Sequence, residues 1–378
     1  MSFYILTFKD VRVQLNKRIS SKYFLTLTFV FVFSYLIYHL FIWNFYTSKI
    51  FGRTDSMYIG DLGRMSYQVD SLYPRKLSYT LPKRLLNTKT YTVQPIDVLT
   101  IGDSFSNAVT GGENPYYQDY LATKYNLKVL NIMNITNNRH YLFETIISLY
   151  NNGWLKEHKP KLIIIQSAQR GVYERFAHDF NWKQQKFKID PLIVPAKTKD
   201  SHIPNLKPIN TANYKFLFYG IKYGFKNRAQ KDVVKLTLNK QLFSTPSYTN
   251  TLLFHYSDVQ YIKNNPKLVM KINDNFNHLA DMLKTLNIKL LFLVAPDKYD
   301  IYYPYIDQNP FQENKFFTLI NPLQKNYLFI DSEKVLRDKL AQNTLDLYYS
   351  DDTHWSYKAS DAITNDQVFK QVLNIQTK

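Results

Sequence analysis

From residue 96 onward, short apolar runs typical of buried strands alternate with segments of helical spacing. The runs KLIIIQ (161–166) and KLLFLVAP (289–296) are almost continuously apolar, as strands buried on both faces of a parallel sheet are. Helical periodicity at 267–287 supplies a crossover connection between such strands. The alternation therefore predicts an α/β domain with a mostly parallel sheet and helices on both faces.

Further elements follow from the same pattern. The other predicted strands are 96–101, 127–132 and 327–331, and the other predicted helices are 116–125, 139–153 and 332–342. Ligand sites in such sheets lie beyond the carboxyl ends of the strands. Ser104, residues 166–170 and residues 296–298 are therefore expected at one edge of the sheet.

Residues 171 to about 265 interrupt this alternation with several prolines, many lysines and the stretch NYKFLFYGIKYGFKNR (213–228). A connection of this length between central strands predicts an inserted subdomain or lid. Its mixture of aromatic and lysine residues would suit contact with a membrane surface or a partner. Ordinary packing is the favoured interpretation, since scattered aromatic residues usually fill cores.

Residues 23–46 contain no Asp, Glu, Lys or Arg, and this run exceeds the ~20 residues that a helix needs to cross a bilayer. Trp43 lies toward its end, where an aromatic belt is expected. A cleavable signal peptide is the alternative, but its apolar core would be about 7–15 residues long and followed by a small-residue cleavage site. The sequence TSKIFG, at 47–52, is a poor match to such a site.

The charges that flank this run predict its orientation. Five basic residues, Lys9, Arg12, Lys17, Arg18 and Lys22, precede it, against the single acid Asp10. The positive-inside rule predicts a cytoplasmic tail over 1–22, a transmembrane helix over 23–46 in the cytoplasmic (inner) membrane, and an extracytoplasmic or periplasmic remainder. We expect a polar, irregular stalk over 47–95 and the catalytic domain over 96–378.

Composition narrows the possible chemistry. The formal net charge of +18 favours anionic partners such as phospholipid headgroups, nucleic acid or an acidic polymer. The sequence has no zinc-ligand set and no RNP-like aromatic signature, which argues against nucleic acid. The chain has no cysteine, which excludes disulfides, thiolate zinc sites and cysteine nucleophiles.

A serine at the predicted sheet edge is a candidate nucleophile. In VLTIGDSFSNA (98–108) a strand-like run ends in Gly-Asp-Ser at Ser104. A hydroxyl is a poor nucleophile until a base takes its proton, and that base is usually a histidine oriented by a carboxylate. His354 has this context in YYSDDTHWSYKAS (348–360), where Asp351 and Asp352 lie three and two residues before it. Ser356, just beyond, is a plausible cap for a following helix.

Together, GDSF and DDTHW resemble the SGNH (GDSL-type) hydrolase superfamily. The resemblance is closest to membrane-anchored SGNH-like O-acetyltransferases of bacterial envelope polysaccharides, the alginate-acetylation type with a DTHW motif. PKLIIIQSAQRGVYERF, LLFLVAPDKYDIYYPYI and TLLFHYSDV match that group more loosely. The resemblance covers residues 95–365 and implies a three-layer α/β/α SGNH domain.

Carried over by position, the resemblance makes Ser104 the nucleophile, His354 the base and Asp352 the orienting acid. General SGNH spacing would instead select Asp351. The resemblance further suggests Arg170, Asn134 and Lys298 as oxyanion or substrate-binding residues. The alternative interpretations are a simple salt bridge for Arg170 and a turn for Lys298.

The sequence also departs from the alginate-type pattern. The Asp-His motif follows the serine here, the usual second-block glycine is missing, and the third-block Gly-x-Asn-Asp is absent. The sequence therefore does not identify the groups that donate hydrogen bonds to the oxyanion.

The function implied by the resemblance is an extracytoplasmic O-acyltransferase, most simply an O-acetyltransferase, acting on an envelope polysaccharide acceptor. This chemistry requires no metal or diffusible cofactor, and the resemblance implies a multi-pass membrane-bound O-acyltransferase as partner. A carbohydrate acetylesterase with the same triad is an alternative, as is a protein similar to the SGNH proteins of teichoic acid D-alanylation. A membrane-tethered assembly factor is the non-enzymatic alternative.

Overall fold

The computed structural model describes residues 21–51, 59–68, 80–86, 95–107, 116–132, 141–185, 207–228 and 232–373. A five-stranded sheet, in the order β2-β1-β3-β6-β7, has all its neighbouring strands parallel. Its strands are β1 (Val98–Ile101), β2 (Val129–Ile132), β3 (Leu162–Ala168), β6 (Lys289–Ala295) and β7 (Leu328–Phe329). The predicted α/β class and parallel sheet are confirmed.

The central strand β3 shows why helices cover both faces of this sheet. It pairs with β1 and β6, and all seven of its residues are buried. Successive side chains of a strand point to opposite faces. Leu162 and Ile164 belong to one apolar cluster, and Ile163 and Ile165 belong to a second cluster on the other face. Each cluster is completed by helices, so the continuous apolar runs of the sequence are explained by burial on both sides.

The helices occupy the connections between strands and the two ends of the described chain. Those before the sheet are α1 (Ser21–Ile42), α2 (Ser48–Phe51) and α3 (Asp61–Ser66). Those between β1 and residue 233 are α4 (Ser104–Asn107), α5 (Tyr117–Lys124), α6 (Leu142–Asn151), α7 (Trp154–His158), α8 (Val172–Phe176) and α9 (Thr211–Tyr223). The remainder are α10 (Ser257–Gln260), α11 (Pro266–Lys284), α12 (Lys298–Tyr302), α13 (Phe316–Ile320), α14 (Ser332–Ala341), α15 (Tyr357–Thr364) and α16 (Gln367–Val372).

Helix α1 continues through a π-helical turn, Trp43–Thr47, into α2. The stretch Lys22–Thr47 has 26 residues and contains an 18-residue window with a mean hydropathy of 2.0, and among the described residues it is the one helix long and apolar enough to span a membrane. Its side chains are largely exposed, unlike those of a core helix in a soluble protein. The basic residues at 9–18 that predict its orientation lie outside the described residues.

Part of the expected stalk belongs to the folded domain. Helix α3 packs near the strands of a small second sheet, and the Leu86 N–H donates to the carbonyl of Val129 in β2 at 2.7 Å. The expectation of a purely irregular connection over 47–95 therefore needs correction. Short polar helices of this kind are fixed by tertiary contacts, which local sequence does not encode.

The region predicted as an insertion contains α8, α9, α10 and an antiparallel pair, β4 (Val233–Thr237) with β5 (Thr251–His255). Val234 and Phe254 of this pair join the apolar cluster on one face of the main sheet. Ordinary packing, the interpretation favoured from sequence, is correct for this pair. It is wrong for the outer side of α9, where Phe218 is 55% and Ile221 64% exposed.

Candidate active site

The Gly-Asp-Ser turn follows β1 directly and is built around one buried amide. The Gln166 Oε1 atom accepts from the Asp103 N–H at 3.2 Å and from the Ser106 hydroxyl at 2.9 Å. A Cβ atom on Gly102 would lie 2.4 Å from that same oxygen, so only glycine allows the chain to pass here. Ser104 then begins α4 and is partly exposed, at the carboxyl end of the strand as predicted.

Asp103 holds this turn against the neighbouring strand. Its carboxylate forms a buried ion pair with Arg175 and accepts the N–H groups of Ala168, at 2.7 Å, and Phe105, at 3.1 Å. Burial disfavours the charged carboxylate, but the Arg175 charge and these hydrogen bonds outweigh it and lower the pKa of Asp103 to about 2. Asp103 is therefore an ionised structural tie between the ends of β1 and β3.

His354 lies in the loop before α15 with one ring nitrogen held by a carboxylate. Asp352 Oδ1 lies 2.8 Å from His354 Nδ1 and also accepts the backbone N–H of His354 at 3.0 Å. His354 Nε2 is buried and has no hydrogen-bond partner among the residues that the structure describes. The imidazole is thus oriented by Asp352 and keeps its second nitrogen for another group.

The charges around His354 make it a stronger base than a free imidazole. Burial lowers the stability of the imidazolium, but the hydrogen bond and charge of Asp352, together with the charge of Asp61, outweigh burial and raise the pKa of His354. Arg170 acts in the opposite direction and moderates this rise.

Aromatic packing brings the serine turn and the histidine loop together. The ring of Phe105, the residue after Ser104, lies 5.0 Å from the His354 ring and 5.0 Å from the Trp355 ring, measured between centroids. Trp355 is buried and also meets Tyr117 edge-on. The turn that carries Ser104 therefore packs directly against the imidazole, although Ser104 and His354 Nε2 are not hydrogen-bonded to each other.

Asp351, the alternative acid, faces away from the imidazole. Its carboxylate accepts the Gly60 N–H at 2.8 Å, and its carbonyl accepts the Gly63 N–H at 2.9 Å. A second contact joins the same two segments through Asp61, which was not predicted from the sequence. Asp61 accepts the Thr353 N–H at 2.8 Å and the Thr353 hydroxyl. Nothing near Asp61 in the sequence points to a loop almost three hundred residues away.

Asp61, Asp352 and His354 form a group that could hold a metal ion, since their ligand atoms lie within 4.8 Å of one another. Each of these groups is already engaged within the protein. Asp352 Oδ1 serves His354, and both Asp61 oxygens accept from Thr353. A metal bound at Nδ1 would displace the contact that orients the imidazole, so the donor set fits an acid–base pair better than a metal centre.

Arg170 lies beyond β3, as predicted, but it is engaged by buried acids. Its Nη1 atom lies 2.6 Å from Asp297 Oδ1 and 3.3 Å from Asp258 Oδ1. Burial raises the pKa of Asp297 to about 6, although the Arg170 charge opposes the rise, and burial also raises the pKa of Asp258 well above its ordinary value. The salt-bridge interpretation therefore describes the contacts of Arg170, and its side chain is 20% exposed.

The surroundings of Lys298 differ from the expectation that it binds the oxyanion or the substrate. Lys298 is fully buried, and its ammonium donates to the carbonyls of Tyr349, Ser350 and Asp352 at 2.7, 2.9 and 3.2 Å. An ammonium has three protons to donate, so these three carbonyls satisfy it. Lys298 ties the end of β6 to the loop that carries His354 and does not face a substrate.

Asn134, the candidate oxyanion donor, lies outside the described residues. Two other amides border the serine turn and were not foreseen. Asn107 donates to the Gly102 carbonyl at 2.7 Å, and Asn131 donates to Asn107 Oδ1 at 2.6 Å. These bonds brace the turn from the β2 side.

No protein-family model, no curated protein and no solved structure matches this chain. The case for a function therefore depends on the residues themselves. A partly exposed serine, in a turn whose Phe105 ring packs against a buried imidazole that a carboxylate orients, supplies the components of covalent acyl transfer.

Proposed function

We propose that this chain is a membrane-anchored serine acyltransferase of the SGNH type, with Ser104, His354 and Asp352 as its catalytic triad and the three-layer α/β/α SGNH fold. One observation carries the proposal: Asp352 holds His354 Nδ1, while Nε2 is buried with no hydrogen-bond partner among the described residues, and the imidazole packs against Phe105, the residue after Ser104. This is the arrangement that a general base needs in order to accept a hydroxyl proton.

In the proposed mechanism, His354 Nε2 takes the proton of Ser104 as the serine oxygen attacks the carbonyl carbon of an acyl donor. The imidazolium, stabilised by Asp352, returns that proton to the leaving group, and the acyl group remains on Ser104 as an ester. His354 then deprotonates an acceptor hydroxyl, which attacks the ester and releases the product. His354 finally passes the proton taken from the acceptor hydroxyl to the Ser104 oxygen, which regenerates the free serine.

The proposed anchor determines where the proposed reaction takes place. Helix α1 crosses the cytoplasmic membrane with the N-terminus inside and the domain outside, and an envelope polysaccharide supplies the acceptor hydroxyl. An acetyl group is the simplest acyl group. A multi-pass membrane-bound O-acyltransferase would bring it across the bilayer, and the anchor would keep the domain beside that donor.

The test supplies purified full-length protein with an activated acetyl ester and an acidic oligosaccharide acceptor. Acetylated oligosaccharide, absent with Ser104→Ala, is the expected product. Free acetate without acetylated acceptor would identify a carbohydrate esterase that uses the same triad. Failure of the folded wild-type protein to form either product would favour a non-enzymatic assembly factor.

A further inference from the structure

Helix α9 (Thr211–Tyr223) is apolar on two opposite sides. Ala212, Phe216, Tyr219 and Tyr223 face the protein, three of them in a cluster with Ile50, Ile59 and Tyr67. At about 100° per residue, Tyr214, Leu217, Phe218 and Ile221 share the opposite side. These four side chains are 42–64% exposed, and Phe225, just past the helix, is 86% exposed. A helix that is apolar all round is usually covered on both sides.

The N-terminal end of α9 is tied to the end of the apolar helix α1 by buried polar contacts. Asn213 Nδ2 lies 2.7 Å from His39 Nδ1, and Tyr214 OH lies 3.0 Å from His39 Nε2. The Thr47 hydroxyl donates to Asn213 Oδ1 at 2.6 Å. A polar ring within an otherwise apolar helix is costly unless it is hydrogen-bonded, so α9 supplies what His39 needs.

These contacts fix the height of α9 relative to a bilayer. His39 comes sixteen residues after Tyr23. At 1.5 Å per residue it lies about 24 Å along a span whose hydrocarbon core is ~30 Å thick. Helix α9 thus begins near the boundary between acyl chains and headgroups. Its Tyr214 ring stacks on that of Tyr38 at 5.6 Å, so the exposed side of α9 begins next to α1.

The charges beside the exposed side of α9 indicate what kind of surface it contacts. Lys215 and Lys222 lie along one flank of α9, between its two apolar sides, and Lys226 follows just past the helix. Lys222 Nζ lies 4.7 Å from the centre of the Phe218 ring. Basic residues that border an apolar stripe are typical of helices that lie in the interface of membranes with anionic lipids.

We infer that α9 is an interfacial helix whose outer side, Tyr214, Leu217, Phe218, Ile221 and Phe225, enters the anionic headgroup region of the same bilayer that α1 crosses. The inference rests on the proposed membrane anchor but not on the acyltransferase chemistry. It makes the membrane contact two-point: α1 fixes the height of the domain and α9 fixes its tilt. The edge of the sheet that carries Ser104 is thereby held at a constant orientation above the lipid.

The absence of cysteine from the sequence makes a direct test simple. Single cysteines at Ile221 and at Phe33 in α1 are labelled with an environment-sensitive fluorophore in full-length protein. A matched control is Met270→Cys, because Met270 is 54% exposed and apolar on helix α11. Each protein is placed in nanodiscs of equal parts phosphatidylcholine and phosphatidylglycerol, with or without lipid that carries a shallow spin-label quencher.

We expect a blue-shifted, quenched signal at Ile221, a blue-shifted signal at Phe33, and a water-like, unquenched signal at Met270. The Ile221 quenching should weaken in pure phosphatidylcholine. A water-like Ile221 with a lipid-exposed Phe33 would overturn the interfacial helix and leave the anchor standing. A water-like Phe33 would overturn the anchor itself. An Ile221 that is water-like in nanodiscs but shielded in native membranes would show that this side binds a protein, which also contradicts the inference.

Discussion

Asp352 and His354 are joined twice, through the Nδ1 atom of the ring at 2.8 Å and through the backbone N–H at 3.0 Å, whereas the neighbouring Asp351 turns its carboxylate toward Gly60. One of two adjacent acids is therefore committed to the imidazole, and the other fixes helix α3 to the loop.

This division of roles predicts different effects for two similar substitutions. Asp352→Asn should reduce acyl transfer by up to ~10⁴-fold, because the amide favours the wrong imidazole tautomer. Asp351→Asn should retain most activity, since an amide oxygen can still accept the Gly60 N–H. Both variants are compared in one assay of acetyl transfer. The reverse ranking would assign the acid to Asp351 and refute the role of Asp352.

The raised pKa of His354 predicts the pH dependence of the reaction. A general base must be unprotonated, so the acidic limb of the rate profile should have its midpoint above the ordinary histidine value of 6.5. Asp352→Asn should move that midpoint to lower pH because the stabilising charge is removed. The same shift stabilises the fold fully below pH 6.5, and this contribution is lost as pH rises through the folded-state pKa. A wild-type midpoint below 6.5 would contradict this account.

Lys298 should matter for stability because its loss removes a charged donor from three buried carbonyls. Lys298→Met is expected to lower the free energy of unfolding by about 3 kcal/mol and to loosen the loop that carries His354. Lys289→Met is a matched control, since Lys289 is exposed at the start of β6, the strand that precedes Lys298, and it should change stability by less than about 0.5 kcal/mol. Urea unfolding in detergent measures both. Equal losses of stability in the two variants would show that the buried hydrogen bonds of Lys298 do not stabilise the fold.

The ion pair of Asp103 and Arg175 should also contribute to stability, in a pH-dependent way. Arg175→Met should cost about 3–5 kcal/mol near neutral pH, because it leaves a buried carboxylate unpaired. The pKa of Asp103 is lowered to about 2, so the wild-type protein should lose this contribution as pH falls from about 4 toward 2. The deficit of the variant should therefore narrow in acid. Lys271→Met removes an exposed pair with Asp179 and should change stability far less than Arg175→Met does.

The parallel sheet was predictable because its strands are continuous apolar runs bounded by turn residues. The predicted helix at 267–287 is observed as Pro266–Lys284, and Ser356 caps α15 by accepting the Lys358 N–H, as expected. The β4–β5 pair was not predicted. Its strands are separated by the irregular stretch 238–250, which carries no tight-turn signal.

The predictable part of the candidate site is the part whose interacting residues lie close together in the sequence. His354 and Asp352 are two residues apart, so local spacing is enough to bring them together. Arg170 and Lys298 could not be assigned in the same way, because a side chain after a strand can face a substrate or a neighbouring loop, and only tertiary packing decides. Asp61 was beyond reach for the same reason, since its contact with Thr353 joins distant parts of the chain.

The central claim is that His354 activates Ser104 as a nucleophile, and covalent labelling tests it most directly. The full-length protein is treated with a fluorophosphonate that reacts with activated serines, and the modified residue is located by peptide mass spectrometry. We predict one adduct, on Ser104, that is absent from Ser104→Ala and strongly reduced in His354→Ala, while Ser106→Ala, which alters the neighbouring buried hydroxyl, still labels at Ser104. Labelling of Ser104 that is equally fast without His354, or no labelling of Ser104 in the folded protein, would contradict the proposed triad.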